Sequence, residues 1–328
     1  MEYRRLGRSG LNISSLALGT MNFGRPTGKE EAFRIVDAAI DVGINLFDCA
    51  DIYVSGESER ILGEAIKRNE KRKDVLIASK VFNRMGSGPN DMGCSKHHIL
   101  DACEKSLQRL QTDYIDIYFL HRTDFDVPQD ESLAALELLV KQGKVRYTAC
   151  STHPAWRTVE ALWLADKHHY PKWVCETPPY NLLDRRIENE IVPMCRDYDL
   201  GILAWAPLAH GVLAGRYTDA SNLPVGSRGT LRTVFRERIT AQGIEIGKQF
   251  VKRAEENGLT GAQLAVAWVL HQPGITSAIL GPRNLGQFES LLPAAAIKLT
   301  EEDLQFCDEL VPPGTYVVNY FNTSRWMK

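Results

Sequence analysis

The chain has 328 residues, a hydrophobic content of 44%, a charged content of 24% and a formal net charge of −2. This composition is that of an ordinary globular protein, with neither the basic patch of a nucleic-acid-binding protein nor an acidic tail. The first residues are polar and no run of about 18 apolar residues is present, so we predict no signal peptide, no membrane association and no nucleic-acid partner.

Seven cysteines are scattered along the chain without a CxxC pair, at Cys49, Cys94, Cys103, Cys150, Cys175, Cys195 and Cys307. This pattern predicts reduced thiols in a cytoplasmic protein. The glycosylation sequons at Asn12 and Asn322 are therefore expected to stay unused. Although the chain is longer than most domains, α/β barrels often exceed about 250 residues, so we predict one domain over residues 1–328.

The first half of the chain predicts an alternation of strands and helices. Residues 1–12 are expected to form a hairpin that turns at Arg8-Ser9-Gly10 and plugs one end of a barrel, since glycine supplies the positive φ of a tight turn. SLALGTM is the first barrel strand, and residues 29–42 repeat apolar side chains on one helical face. Three pairs follow: INLF with helix 58–67, VLIASK with a helix capped by Ser95, and IDIYFL with helix 130–142, which Gly143 ends.

The second half repeats this alternation, with VRYTAC and helix 154–167, KWVCE and helix 186–198, GILAW, helix 260–271, TSAIL and helix 284–292. Residues 206–243 are rich in Gly, Pro and Arg and too long for an idle connection, so we predict an irregular lid. A tail helix begins at Thr300, whose spacing to Asp303 resembles a capping box. The aromatic residues after it are expected to cover a pocket mouth: Tyr316, Tyr320, Phe321 and Trp326.

Three apolar runs end abruptly in a polar residue, at Asp48, Lys80 and His121, and Tyr53 follows the first by five positions. The intervals of about 30 to 40 residues are the length of a strand plus a crossover helix. In a (β/α)8 barrel the carboxyl ends of the strands converge on one face. Three later strands end in the same manner, at Ser151, Thr177 and Trp205. We therefore predict one site built from strand ends.

These four residue types suit proton delivery to a carbonyl group. A tyrosine phenol has a pKa near 10, and a lysine ammonium at ~4 Å would lower it by up to about 3 pKa units at an effective dielectric constant of ~20. Lys80 is therefore expected to lower the pKa of Tyr53, and Asp48 to keep Lys80 charged. His121, expected to be neutral, would orient the carbonyl oxygen. Taken singly, each residue is as well explained by an ordinary ion pair or a structural role.

Other polar groups carry weaker signals. Cys94 with His97-His98, and His168-His169, lack the number of ligands of a metal site, so we interpret them as solvated helix residues and predict no metal. No GxGxxG or P-loop motif is present. The arginines of the predicted lid are compatible with either a solvated face or a phosphate clamp: Arg216, Arg228, Arg232, Arg236 and Arg238.

Ordered motifs along nearly the whole chain resemble those of the aldo-keto reductases: LGTM..FG, GINLFDCADIY, IASK, TDYIDIYFLHR, GKVRYTACS, PPYNLLDR, AWAPLAHGVLAGRY and ILGPRN. The resemblance implies a (β/α)8 TIM barrel with an N-terminal β-hairpin, a long cofactor-clamping loop and a C-terminal extension. It also implies reduction of an aldehyde or ketone by hydride transfer from NADPH. Tyr53 would be the general acid, Lys80 its partner, Asp48 the counter-ion of Lys80, and His121 the residue that orients the carbonyl.

The resemblance also implies a set of cofactor contacts. Trp205 would stack on the nicotinamide, and Arg283 would bind the 2′-phosphate, which favours NADPH/NADP+ over NADH. Pro207, Leu208 and Gly215-Arg216 would border the pyrophosphate. The complete predicted set is Gly19, Thr20, Met21, Ser151, Thr152, Thr177, Trp205, Pro207, Leu208, Gly215, Arg216, Gly281, Arg283 and Gln287. Candidate substrate-binding walls are Phe23, Phe82, Trp156 and the C-terminal aromatic residues, which plain packing would explain equally well.

Three departures from the family pattern concern the cofactor. Thr152 stands where asparagine is usual and Thr177 where glutamine is usual, so two nicotinamide contacts are altered. Because a hydroxyl replaces an amide, each changed hydrogen bond would cost ~0.5 to 1.5 kcal/mol. Ser290 and Leu291 replace the acidic-Asn pair expected after Gln287, which alters the adenine contacts. These departures predict weaker or differently placed cofactor binding.

We therefore interpret the chain as a cytoplasmic NADP(H)-dependent reductase of a small-molecule carbonyl substrate. The alternative is a non-catalytic or weakly catalytic, nucleotide-sensing and partner-binding subunit, since the family includes ion-channel subunits of this shape. Deoxysugar ketones, inositol-like polyols and small aldehydes all remain open as substrates, and no apolar stripe indicates a homo-oligomer interface.

Overall fold

The computed structural model describes residues 1–231 and 233–323 of the chain. A two-stranded antiparallel sheet opens it, with β1 (Tyr3–Arg5) paired to β2 (Asn12–Ser14). Leu6 and Ile13 are fully buried beneath the barrel strands, and the backbone N–H of Arg8 donates to the carbonyl oxygen of Asp199, 2.7 Å away, just before a barrel strand begins. The hairpin thus closes the amino end of the barrel, as predicted.

Eight parallel strands form a closed barrel: β3 (Leu16–Gly19), β4 (Leu46–Asp48), β5 (Leu76–Val81), β6 (Ile115–Leu120), β7 (Val145–Cys150), β8 (Cys175–Glu176), β9 (Gly201–Ala204) and β10 (Ser277–Leu280). The last strand closes the ring because β10 pairs with both β9 and β3, with Ala278 opposite Leu16. The predicted α/β fold, a (β/α)8 TIM barrel, is confirmed. Its carboxyl end is the open face, since the hairpin covers the other.

Within the described residues the α-helices are α1 (Lys29–Asp41), α2 (Glu57–Arg68), α3 (Lys96–Leu110), α4 (Gln129–Lys141), α5 (Ala155–His168), α6 (Ile191–Asp197), α7 (Arg228–Leu231), α8 (Thr233–Arg236), α9 (Ala241–Glu256), α10 (Gly261–His271), α11 (Leu285–Leu291) and α12 (Glu301–Leu310). Side-chain caps fix several starts. Ser95 accepts a hydrogen bond from the N–H of His98, and Thr300 forms a capping box with Asp303. None of these helices is long and apolar enough to cross a membrane.

The predicted helix 186–198 is divided into a 3₁₀ turn (Arg186–Glu188) and α6. Glu190, between them, has a φ of −133°, and Pro193 lacks the N–H that a continuous helix would use. Two short helices, α7 and α8, interrupt the predicted irregular segment. We call residues 206–240 the lid, of which Arg232 lies outside the described residues.

Helix α9 was also not predicted from the sequence. Thr240 caps it by accepting a hydrogen bond from the N–H of Gly243, and Phe250 is among the apolar side chains that it buries. The predicted irregular segment extended to Gly243, but Gly243 lies in the first turn of α9. A Cβ on Gly247 would lie 2.8 Å from the carbonyl oxygen of Val212, so glycine here marks a helix contact.

Two buried clusters hold the fold together. Alternate strand residues fill the barrel interior, where small side chains such as Ala17, Ala78 and Ala149 lie among larger ones such as Phe119, as layered packing requires. The remaining strand residues pack outward against the helices. All seven cysteines are buried and unpaired.

Candidate active site

Lys80 and Asp48 form an ion pair inside the carboxyl end of the barrel. The Lys80 ammonium donates to Asp48 Oδ1 at 2.5 Å and to the carbonyl oxygen of Cys49 at 2.7 Å. Their side chains are only 2% and 5% exposed. Burial favours a neutral amine, but the charge of Asp48 outweighs this effect and holds the pKa of Lys80 above its usual value. Lys80 is therefore a fixed, buried cation.

Tyr53 reaches the same place from the loop after β4. It begins a 3₁₀ turn, Tyr53–Gly56, in which Val54 and Ser55 have φ values of 50° and 55°. Two successive non-glycine residues in the left-handed region are uncommon and costly, and such strain is concentrated at functional sites. The Lys80 ammonium lies 3.5 Å from the Tyr53 hydroxyl. The strained turn thus directs the phenol toward the buried cation.

His121, immediately after β6, completes the group. Its ring meets that of Tyr53 edge to face, with centroids 5.9 Å apart. Nδ1 of His121 lies 3.3 Å from Nδ2 of Asn83, and an amide nitrogen only donates. Nδ1 is then the acceptor, which leaves a proton on Nε2 for donation to a ligand. Asn83 was not predicted, although it follows Lys80 by only three positions.

The electrostatics of the site match one prediction and contradict another. Burial lowers the pKa of His121 well below its usual value, and Lys80 and Arg122 add to this effect, so the imidazole is neutral as predicted. Burial also raises the pKa of Tyr53 to about 12, although the Lys80 charge opposes this. The predicted net lowering of the Tyr53 pKa is therefore wrong, because burial outweighs the charge of Lys80, and Asp48 further disfavours a phenolate.

Thr152 and Thr177, the two departures from the family pattern at the predicted nicotinamide contacts, follow β7 and β8. Ser151 Oγ donates to the carbonyl oxygen of Thr177 at 2.9 Å, and Thr152 is 1% exposed with a φ of 55°. The hydroxyl of Thr177 is buried and has no hydrogen-bond partner among residues 1–231 and 233–323. A buried polar atom without a partner is costly, so this hydroxyl fits the amide of a bound ligand.

Glu176, the last residue of β8, lies beside these positions. Its carboxylate accepts hydrogen bonds from Cys150 Sγ at 2.7 Å and from the backbone N–H of His153 at 3.2 Å. Burial raises the pKa of Glu176 to about 7, against the effect of these donors. Cys150, His153 and Glu176 have potential ligand atoms within 4.8 Å of one another, but their internal hydrogen bonds already account for the arrangement. The sequence analysis did not identify Glu176.

The end of β9 lies under the lid. Trp205 is half-buried, and the guanidinium carbon of Arg238 is 5.7 Å from its ring centroid. Pro207 is buried, whereas Leu208 is half-buried and Gly215 and Arg216 are exposed. The lid therefore contributes both a cation above Trp205 and a chain that runs past the strand end.

Two contacts fasten the lid across the barrel mouth. Arg283, after β10, donates to the carbonyl oxygen of Gly226 in the lid at 2.5 Å. Arg228 in the lid donates to Asn22, after β3, at 3.0 Å. Burial and the neighbouring Arg216 lower the pKa of Arg283. Arg216 and Arg283 are thus adjacent cations, an arrangement that suits a phosphate group.

The remaining predicted ligand contacts have varied environments. Thr20 is buried, and its hydroxyl donates to the carbonyl oxygen of Asp48, so it joins two strands. A Cβ on Gly19 would lie 2.7 Å from Ile279. Met21 is half-buried and Gly281 is exposed. The side chain of Gln287 accepts from the backbone N–H of Arg283, which shapes the loop.

The predicted substrate-binding aromatic residues differ in their environments. Phe23 is fully buried in the core and Phe82 is half-buried, whereas Trp156 is 58% exposed and lines an outer groove with Trp163. Tyr320 is buried, and its backbone N–H donates to Asp184. Of the other C-terminal aromatic residues, Tyr316 is exposed, Phe321 is half-buried and Trp326 lies outside the described residues. The exposure of this set therefore ranges from fully buried to exposed, and its role in binding a substrate stays a prediction.

The histidines interpreted as solvated differ in environment. His97, His168 and His169 are exposed, but His98 is 3% exposed and its Nε2 has no hydrogen-bond partner among the residues described. The prediction for His98 is wrong because it lies on the buried face of α3. It borders a small crevice with Asp51 and Arg109.

Asp51, in the loop that carries Tyr53, is a buried carboxyl group that the sequence analysis missed. It has no exposed surface, and neither oxygen accepts a hydrogen bond of normal geometry within the described chain. Burial, with a contribution from Glu59, raises its pKa from 3.8 to about 8. The folded state therefore holds a proton that the unfolded state releases, and this proton contributes to the free energy of unfolding. The contribution is fully present below about pH 4 and is lost as the pH rises through 8.

We expect Asp51→Asn to weaken this pH dependence. The difference in Tm between the variant and the wild-type protein should rise by about 3 °C or more from pH 6 to pH 9, as measured by thermal unfolding monitored by circular dichroism. Asp113→Asn, at an exposed position, is the matched control and should leave the difference constant. Parallel Tm curves for Asp51→Asn and the wild-type protein would contradict the protonated state of Asp51.

Comparison with known proteins adds independent information. Residues 15–312 match the model of the Aldo/keto reductase family. The chain is 39% identical to the uncharacterized oxidoreductase YrpG of Bacillus subtilis (strain 168), covering 96% of this chain and 97% of that protein. It is 35% identical to a probable voltage-gated potassium channel subunit beta of Oryza sativa subsp. japonica, over 88% and 89% of the two chains. It is 32% identical to versiconal hemiacetal acetate reductase of Aspergillus parasiticus, over 95% and 98%.

Proposed function

The chain belongs to the aldo/keto reductase family, and we propose that it reduces an aldehyde or ketone to the alcohol with NADPH as the hydride donor. One observation carries the proposal: Asp48, Lys80, Tyr53 and His121 come from three strand ends and form one connected group. These residues are called the catalytic tetrad below. Relatives named as an oxidoreductase and a reductase support the same class of reaction.

The tetrad supplies the proton. Tyr53 donates its phenolic proton to the carbonyl oxygen, since a phenol is protonated at neutral pH, as a general acid must be. Lys80 stabilises the negative charge that develops on the Tyr53 oxygen as the proton leaves. His121 donates from Nε2 and orients the carbonyl oxygen beside the phenol. A bound nicotinamide would supply the hydride.

The proposed cofactor site extends over the barrel mouth. Trp205 offers a half-buried face for the nicotinamide, and the unpartnered hydroxyl of Thr177 suits its carboxamide. Arg216 and Arg283 suit a phosphate group because they are adjacent cations. This pair favours NADPH over NADH. The seven buried free thiols are compatible with a cytoplasmic location.

A calorimetric titration tests the nucleotide proposal. The wild-type protein should bind NADPH with a micromolar or lower Kd and NADH more weakly. Arg283→Met should raise the Kd for NADPH by about 10-fold to 100-fold, the size of a lost charge-assisted hydrogen bond, and leave the Kd for NADH within about twofold. Equal losses for both nucleotides would assign Arg283 to lid structure, and tighter binding of NADH would contradict the preference itself.

A second candidate function follows from the relatives named as probable voltage-gated potassium channel subunits beta. In that case the chain would bind a nucleotide and a protein partner with little turnover. The complete catalytic tetrad favours an enzyme instead. NADPH oxidation with a panel of small aldehydes separates the two functions, since a partner-binding subunit would bind NADPH without consuming it at a useful rate.

A further inference from the structure

Arg122, the residue after His121, is a partly buried arginine with an unusual lack of partners. Its guanidinium makes no hydrogen bond or ion pair with the described part of the chain, residues 1–231 and 233–323. Two other sheltered arginines, by contrast, have acidic partners. Arg185 bonds Glu188 and Asp308, and Arg109 bonds Glu59. A sheltered cation without a counter-ion is costly, so Arg122 needs a separate explanation.

Arg238 brings a second cation to the same region from the lid. Its guanidinium carbon lies 5.7 Å from the ring centroid of Trp205 and 5.0 Å from that of Tyr320. It contacts His210 Nε2 at 3.2 Å and donates to the carbonyl oxygen of Tyr320 at 3.4 Å. These partners hold the guanidinium in place but carry no negative charge. The charges of Asp184 and Glu237 favour the Arg238 cation, but neither carboxylate forms an ion pair with it in the described part of the chain.

The two arginines are close enough to repel each other. Burial lowers the pKa of Arg122, and the charge of Arg238 lowers it further. Glu176 also acts on Arg122, but its carboxylate already accepts hydrogen bonds from Cys150 and His153. Arg122 follows His121 along the chain and Arg238 lies over Trp205. The two cations act on each other, and neither forms an ion pair within residues 1–231 and 233–323.

We propose that Arg122 and Arg238 bind an anionic group of the carbonyl substrate, a carboxylate or a phosphate monoester. This inference rests on the proposed reductase function and names its substrate class, aldehydes or ketones that carry an acidic group. Guanidinium groups bind both anions through paired hydrogen bonds. The proposed sites for the cofactor phosphates lie elsewhere, at Arg216 and Arg283, whereas Trp205 is the proposed nicotinamide contact.

Matched substrates isolate the effect of charge. 4-Formylbenzoate and methyl 4-formylbenzoate share an aldehyde and a ring, and only the first is an anion. With NADPH, the wild-type protein should show a kcat/KM at least about 10-fold higher for the acid. Arg122→Met should remove most of this preference by lowering kcat/KM for the acid alone, and Arg122→Lys should keep part of it. Arg84→Met, which removes an exposed arginine, is the control and should leave the preference unchanged.

Two further arms identify the anion and separate this inference from the function. Glyceraldehyde 3-phosphate against glyceraldehyde tests a phosphate in the same way, and a preference in either pair supports the site. If the wild-type protein reduces neither 4-formylbenzoate nor its methyl ester, a calorimetric titration tests whether the anion site exists without turnover. Binding of 4-formylbenzoate that is lost in Arg122→Met would keep the anion site and remove the reductase function.

Several outcomes would overturn the anion site. Equal kcat/KM values within both substrate pairs would show that the protein does not detect the charge. Equal losses for acid and ester in Arg122→Met would assign Arg122 to folding or to catalysis in general. A raised Kd for NADPH with an unchanged acid preference would assign the arginines to the cofactor. In each of these cases reduction of the neutral ester would leave the reductase function standing.

Discussion

Replacing Tyr53 with phenylalanine should lower kcat for a small aldehyde by at least about 10²-fold, the scale of general-acid catalysis. The substitution removes the hydroxyl that lies 3.5 Å from the Lys80 ammonium and keeps the ring that meets His121. Because the ring still fills its place, the Kd for NADPH should stay within about twofold. Steady-state kinetics and calorimetry on the same preparation measure both quantities.

The exposed Tyr198 offers a matched control, since Tyr198→Phe removes a phenolic hydroxyl far along the chain from the site. That variant should keep the wild-type kcat. Unchanged turnover in Tyr53→Phe would exclude Tyr53 from the mechanism, whatever its position. A joint loss of NADPH binding and of turnover would instead indicate a disturbed turn around Val54 and Ser55.

Replacing Lys80 with methionine should lower the free energy of unfolding by about 3 to 5 kcal/mol, because Asp48 would be left as a buried, unpaired carboxylate. The pair is buried on both sides, so water cannot replace the lost ammonium. Asp48→Asn in the Lys80→Met background removes the unpaired charge and should recover a large part of the loss. Urea unfolding at pH 7.5 of the two single variants and the double variant measures this coupling.

A second double-mutant cycle pairs Lys80 with Tyr53 and is measured by steady-state kinetics. If Lys80 acts by stabilising the charge on the Tyr53 oxygen, Lys80→Met should lower kcat strongly in the wild-type background and little in Tyr53→Phe. If the kcat loss of the Lys80→Met/Tyr53→Phe double variant equals the product of the two single losses, the two residues act separately. An unfolding free energy of Lys80→Met within about 1 kcal/mol of wild type would contradict the buried ion pair.

Strand-end residues explain why much of the site could be predicted. Asp48, Lys80 and His121 each end an apolar run, and a closed parallel barrel requires such ends to meet. The same reasoning applies to Ser151, Thr177 and Trp205. Capping at Ser95 and Thr300 was also predictable, because a cap depends only on residues within one helical turn.

The missed features depend on contacts that sequence spacing does not encode. Helix α9 was not predicted, and the close approach of its Gly247 to Val212 depends on a distant segment of the chain. The direction of the Tyr53 pKa shift depends on how far burial exceeds the effect of Lys80, which only the packed site determines. Arg122 carries a local signal, its position beside His121, but its lack of a partner is a property of the folded chain.

The lid contacts have a consequence for the timing of the catalytic cycle. Arg228 bonds a residue that follows the first barrel strand, and Arg283, after the last strand, bonds Gly226 in the lid. The lid is therefore fastened to both sides of the seam where the barrel closes. A nucleotide held beneath it could leave only after both contacts open, so its residence time would depend on lid motion.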